Sequence, residues 1–208
     1  MRVMKFIDLS VPLNEHTPIY PGDPAMSIRS HAVLDADGYE VHSVCLGTHL
    51  GTHIDAPSHM LAGGKTLDQI PLEKFSGHGV YIKIEGNFDF EVVKKVPLAI
   101  DDIVLFDTGM SISFDLPHYF HKYPPLTEAI ANYLVEREVK MVGVDMCSVD
   151  YPPFPVHKML LAHEILIIEN LTGLSRLQGQ NFTIHAFPLS LPLDASPTRV
   201  IAEILTPG

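Results

Sequence analysis

MVGVDMCSVDYPPFPVHKMLLAHEILIIEN, residues 141–170, carries the alternation that decides the fold. Met141 to Met146 is an apolar run short enough to be a strand buried in a sheet. It ends at Asp145, with Ser148 and Asp150 just beyond. Pro152, Pro153 and Pro155 then interrupt the chain, and a helix is predicted to begin near Val156 with His157 at its start. Residues 164–169 (EILIIE) read as a second buried strand that closes on Glu169-Asn170. Strand, proline break, helix and strand together describe an α/β chain.

The pattern holds outward from this stretch. Thr127 offers an N-cap for a helix to about Glu138, whose apolar face is Ile130, Tyr133, Leu134 and Val135. Residues 78–85 and 101–107 are predicted strands, with a mixed loop or short helix at 66–75 and a helical turn at 89–95. Farther upstream, residues 3–9, 26–34 and 40–47 are predicted strands, the last two joined by a turn around Asp35-Ala36-Asp37-Gly38. Downstream, residues 182–187 and Thr198 to Leu205 complete the set. Strands come first and helix–strand alternation follows, with no internal repeat and no linker. The expectation is one α/β domain over residues 1–208, built around a mixed and partly curled sheet.

Composition narrows the function. Hydrophobic residues make up 46% of the 208 and charged residues 19%, which suits a compact core rather than disorder. A formal net charge of −11 argues against nucleic acid and against an anionic membrane surface. The opening Met1 to Leu13 does not read as a signal peptide, and no apolar stretch approaches the ~20 residues of a membrane span. Cys45 and Cys147 form no disulfide framework, so a reduced, cytoplasmic protein is expected. Histidine is the anomaly: 12 of them stand against 14 lysines and arginines.

Three of those histidines fall within eleven residues, His49-Leu50-Gly51-Thr52-His53-Ile54-Asp55-Ala56-Pro57-Ser58-His59. His49, His53, Asp55 and His59 all have odd numbers, so an extended chain would aim them to one face. Gly51 and Pro57 disfavour a helix, and Gly51 removes bulk between the first two histidines on that face. The predicted strand over 40–47 runs into this motif and would back it. Imidazole and carboxylate are the ligand set of zinc, manganese, cobalt or iron. His49, His53 and Asp55 are candidate ligands of one ion, with His59 beyond them. A second ion would draw on His157 and Glu169, with His163 and Glu164 as a rival pair. Tyr20, held extended between Pro18 and Pro21 in a stiff loop, either caps a ligand pocket or packs on the core. His118 and His121 lie in a proline-rich loop and are read as solvated. Asp107-Thr108-Gly109 matches the aspartic-protease tripeptide, but nothing else in the chain supports that chemistry.

The string H-x-G-T-H-x-D-x-P-x-H resembles the signature of the cyclase family of metal-dependent hydrolases, which includes bacterial kynurenine formamidases (arylformamidases) and isatin hydrolase. Asp8-Leu9-Ser10, Tyr20-Pro21-Gly22-Asp23, His157, Glu169-Asn170-Leu171 and Ser196-Pro197-Thr198-Arg199-Val200 resemble further family segments. The resemblance implies a swivelling β/β/α-type fold, homodimers or higher homo-oligomers, and two divalent ions per chain, zinc foremost. His49, His53 and Asp55 would hold one ion. Asp55, His157 and Glu169 would hold the other, with Asp55 and Glu169 able to contact both. His59 would be the general acid/base in arylformamidase chemistry, where a metal-bridged hydroxide cleaves N-formyl-L-kynurenine to kynurenine and formate in tryptophan catabolism. Tyr20 stands where the formamidases carry Trp, and this chain has no Trp. Another amide, a lactam such as isatin, or an ester is therefore a compatible substrate. A non-catalytic metal-binding protein is the reading from a different class.

Overall fold

The strands that organise the molecule are those with the most continuous apolar runs. The structure is a computed structural model that describes residues 3–206, so the outer ends of the 1–208 domain expectation lie outside the described residues. The strands are β1 (Val3–Asp8), β2 (Ser27–Ala32), β3 (Val41–Cys45), β4 (His53–Asp55), β5 (Ser76–Lys83), β6 (Ile103–Asp107), β7 (Met141–Val144), β8 (Leu166–Glu169), β9 (Phe182–His185), β10 (Ala195–Pro197) and β11 (Ile201–Thr206). The four α-helical segments are α1 (Leu34–Asp37), α2 (Phe90–Val93), α3 (Glu128–Glu136) and α4 (Pro155–Ala162).

Nine strands form one mixed, strongly curled sheet in the order β1-β11-β9-β5-β6-β7-β8-β4-β10. Its centre, β5 to β8, is parallel, and every pairing outside that centre is antiparallel. Parallel strands are covered on both faces. In β6, Val104 and Phe106 pack beneath α3 and α4, while Ile103 and Leu105 enter a second core on the opposite face. Leu166, Ile167 and Ile168 of β8 divide the same way. Thr127 caps α3 as expected, its side chain accepting from the Ile130 N–H, and Ile130, Ala131, Tyr133 and Leu134 are the buried face. The curled α/β sheet thus agrees with the sequence expectation.

Three local expectations need correction. The strands over 26–34 and 40–47 form, but as a separate two-stranded ribbon that joins no strand of the main sheet. It therefore does not back the histidine motif. Its β3 is exposed along its whole length. The chain from Thr48 to Thr52 turns instead of extending, so only His53 to Asp55 share a strand face by alternation. Gly51 also serves a different purpose from the one inferred. It sits in the left-handed region at φ 62°, and a Cβ there would come within 2.4 Å of Leu13 Cδ2. Finally, the strand predicted over Thr198 to Leu205 begins later, as β11, and is preceded by β10, a short edge strand that the sequence reading did not include and that ends at Pro197, which has no N–H to continue a ladder.

Candidate metal centre

Register builds the floor of the site. β4 is antiparallel to β8, pairing His53 with Glu169 and Asp55 with Ile167. His53, Asp55, Ile167 and Glu169 therefore share one face of the sheet, while Ile54 and Ile168 enter the core behind it. His157, in the first turn of α4, closes over that face with Nε2 at 3.1 Å from Glu169 Oε1. His49 arrives from the turn and His59 from the one-turn helix Pro57–His59. Asn170 braces these parts from a left-handed backbone at φ 57°: its side-chain amide donates to the Gly51 carbonyl at 2.8 Å, and its Oδ1 accepts from the Tyr119 hydroxyl at 2.8 Å. Thr52 Oγ1 donates to the Asn170 carbonyl at 2.6 Å.

The donor atoms converge on Asp55. His49 Nδ1 lies 3.0 Å from Asp55 Oδ1, and His53 Nε2 lies 3.4 Å from Asp55 Oδ1 and 3.5 Å from Glu169 Oε2. Two sets of donor atoms lie mutually within 4.8 Å, His49–Asp55–His59 and His53–Asp55–Glu169, with Asp55 common to both. These groupings differ from the sequence expectation: His59 falls with His49, and His53 falls with Glu169. His157 stands beside the second set through its contact with Glu169. The rival pair is elsewhere occupied. His163 is exposed and bonded to the Met159 carbonyl, and Glu164 pairs with Lys65.

A divalent cation fits this arrangement. His53 Nε2 and both carboxylate oxygens of Asp55 are buried without a hydrogen-bond partner, despite lying 3.0–3.5 Å from other donor atoms. Buried polar atoms cost stability when left unpaired, and lone pairs facing one another across such distances suit a shared positive charge. The outer nitrogens are each fixed by an acceptor. His53 Nδ1 meets the Gly51 carbonyl at 2.8 Å, His157 Nδ1 meets Asp150 Oδ1 at 2.5 Å, and His49 Nε2 meets Asp194 Oδ2 at 3.0 Å. Such outer partners orient ligating imidazoles.

Electrostatics tell the same story. Burial disfavours charge on His53, yet the neighbouring Asp55 and Glu169 carboxylates outweigh it and hold its pKa well above the ordinary value. For His157 burial is likewise opposed by Asp150 and Glu169, which raise it to about 10. Burial would raise Asp55, but His53 and His49 hold its carboxyl well below the usual range. Glu169 is lowered by His157 and His53 against the same burial. The ionised carboxylates draw positive charge into this pocket, and a cation would supply it in place of the protons they otherwise hold on the histidines.

A cavity of about 220 Å³ opens over these groups. Tyr20, Met60, Phe120 and Phe154 supply apolar walls, and Asp23 lies at its edge. Tyr20 meets Phe120 edge to face, ring centroids 6.0 Å apart, and fits both of its sequence readings: it lines the cavity and it packs against the core. Asp194, Asp150, Phe120 and Phe154 carried no assignment from sequence. Asp150 reaches the start of α4 from five residues upstream, where its Oδ2 accepts from the Val156 N–H at 2.6 Å. Asp107 of the protease-like tripeptide is a strand-end node, accepting from the Tyr81 hydroxyl at 2.6 Å and the Gly109 N–H at 3.1 Å. His118 and His121 are exposed.

The curled α/β sheet thus carries, under an aromatic cavity, a shared carboxylate flanked by histidines that could hold a metal ion. Residues 7–151 match the family model described as "Putative cyclase", and the chain belongs to that family. It is 36% identical over 203 residues to uncharacterized protein MJ0783 of Methanocaldococcus jannaschii, covering 96% of this chain and 99% of the other. It is 28% identical over 210 residues to the kynurenine formamidase of Bacillus cytotoxicus, covering 99% and 100%. A solved structure described as a potential metal-dependent hydrolase with cyclase activity superposes at TM-score 0.80, 28% identical, over 99% and 100% of the two chains. Isatin hydrolase A of Labrenzia aggregata shares the fold at TM-score 0.85, 23% identical, over 98% and 94%.

Proposed function

We propose that this chain is a metal-dependent amidohydrolase of the arylformamidase type, cleaving N-formyl-L-kynurenine or a related aryl amide. The observation that carries the reading is the trio of orphaned buried atoms, His53 Nε2 and both Asp55 oxygens, beneath a cavity walled by Tyr20, Phe120 and Phe154. His49, His53, Asp55, His157 and Glu169 would hold two divalent ions, with zinc first and manganese, cobalt or iron as alternatives. Bound there, such ions supply Lewis acidity toward a carbonyl and acidify water near neutral pH. The rest falls to the chain. The aromatic walls would take the aryl group. Hydrolysis leaves the water oxygen on the carbonyl carbon and a proton on the departing nitrogen. His59, at the cavity wall, would carry that proton, since an imidazole can both take and give one. The relatives named kynurenine formamidase and metal-dependent hydrolase support this reading. Lactam or ester hydrolysis on the same residues is the second reading, favoured by Tyr20 in place of a Trp.

The exposed apolar side chains Ile28, Val41 and Val44 on the β2–β3 ribbon support a homo-oligomer. Two free cysteines support a reducing, cytoplasmic setting. No helix among the described residues is long and apolar enough to cross a membrane. The deciding experiment is turnover of N-formylkynurenine by protein reconstituted with zinc or manganese, beside a chelated control. Turnover abolished by chelation and restored by metal is the expected result. A fully metallated protein inert toward amides, lactams and esters would overturn the hydrolase reading in favour of a non-catalytic metal-binding protein.

A further inference from the structure

We propose that Asp194 is the positioning residue of this site, one carboxylate that sets the tautomers of both His49 and His59. The inference rests on the hydrolase reading for its catalytic half only. Asp194 immediately precedes β10, and its carbonyl accepts from the Ala56 N–H at 2.8 Å, which ties its backbone to the histidine motif. Its Oδ2 lies 3.0 Å from His49 Nε2 and 3.3 Å from His59 Nδ1. An ionised carboxylate only accepts hydrogen bonds, and a neutral imidazole carries a single N–H. His49 also faces Asp55 Oδ1 at 3.0 Å through Nδ1, so with a cation on that side Asp194 would hold the one proton of His49 on Nε2, and it draws the proton of His59 to Nδ1.

The consequences for the two rings differ. With its proton on Nε2, His49 presents a bare Nδ1 toward Asp55 Oδ1, 3.0 Å away, where two lone pairs face each other. That is the tautomer a cation requires. With its proton on Nδ1, His59 keeps Nε2 free to take a proton at the cavity and give it up again. When His59 is charged, the Asp194 carboxylate stabilises the imidazolium without becoming protonated, as the aspartate of a serine-protease triad does. The two rings lie with centroids 4.2 Å apart, so a single acceptor between their outer nitrogens spans both.

The test reads tautomers directly. In zinc-loaded protein, long-range ¹H–¹⁵N spectra, assigned with His49→Ala and His59→Ala, report which nitrogen of each ring is protonated. The expected result is Nδ1–H at His59 in the wild type, lost in Asp194→Ala and retained in Asp194→Asn, which keeps an acceptor oxygen and also serves if the alanine variant does not fold. Chelator competition should show zinc held about 10–100-fold more weakly by Asp194→Ala. At saturating zinc, kcat on a formanilide should fall about 10–100-fold. On the matching nitrophenyl ester, whose leaving group departs without a proton, the fall should be under about 3-fold. Asp194→Glu should restore part of the loss. His59 protonated at Nε2 in the wild type, or an unchanged tautomer in Asp194→Ala, overturns the proposal. So does an equal rate loss on both substrates. Wild-type protein that shows the expected tautomers and zinc affinities yet turns over neither substrate overturns the hydrolase reading alone.

Discussion

Two β-stranded regions of this chain end up in opposite physical situations. The β4–β8–β10 floor is paired within the sheet, and His53, Asp55 and Glu169 on it are buried. The β2–β3 ribbon pairs only with itself, and Ile28, Val41 and Val44 stay exposed. A lone two-stranded ribbon is marginal in water. The comparison teaches that burial, not local pattern, decides where chemistry can be held. Lone pairs such as those of Asp55 are stable without partners only where packing elsewhere offsets them, and only the floor has that packing.

The largest expected effect is on the floor. Asp55→Ala removes the carboxylate common to both donor sets, so both ions should be lost and turnover should fall by more than about 10³-fold. Metal analysis decides it: an Asp55→Ala protein that keeps two ions contradicts the shared-carboxylate reading. Next comes His59→Ala, which should keep its metal and lose about 10²–10⁴-fold in kcat. Loss of metal along with rate would make His59 a ligand, as its grouping with His49 and Asp55 allows.

A paired stability measurement sharpens the contrast between regions. Ile54→Ala, in the core behind the floor, should cost about 2–5 kcal/mol. Ile28→Asp on the ribbon should change monomer stability by less than about 0.5 kcal/mol while shifting the sedimentation profile toward smaller species. Equal stability losses at the two positions would erase the distinction drawn here. The smallest effect is one of pH on metal-free protein. His157 is raised to about 10 in the folded chain, above the ~6.5 of an unfolded histidine. Its contribution is therefore fully present below ~6.5 and is lost as pH rises through about 10. Melts of chelated protein should fall in Tm between pH 7 and 10, while metal-loaded protein, which needs neutral ligating histidines, should gain stability relative to it. A flat metal-free profile would contradict this account.

Much of this was legible in the sequence, for identifiable reasons. Met141–Val144 and Leu166–Glu169 announced themselves because doubly covered strands must be apolar throughout. Thr127 marked α3 through its capping hydroxyl. His49, His53, Asp55 and His59 were legible because four potential ligands in eleven residues exceed what packing requires. The converging geometry was misread, since a left-handed Gly51 turns a chain that alternation alone would keep straight. β10 went unseen because three residues ending in proline carry no periodicity. Asp194 was invisible for a deeper reason: it meets His49 across 145 positions, by way of an edge strand, and no local pattern encodes such a contact.

The pairing of His53 with Glu169 carries one more consequence. Side chains alternate along a strand, so a slip of a single residue between β4 and β8 would send His53 and Asp55 into the apolar layer behind and bring Ile54 forward. Such a molecule would retain its sheet and helices and yet be inert. Specific activity per folded chain therefore reports the fidelity of strand alignment during refolding, and counting competent sites in a refolded preparation would measure the fraction of chains that paired β4 in the wrong frame.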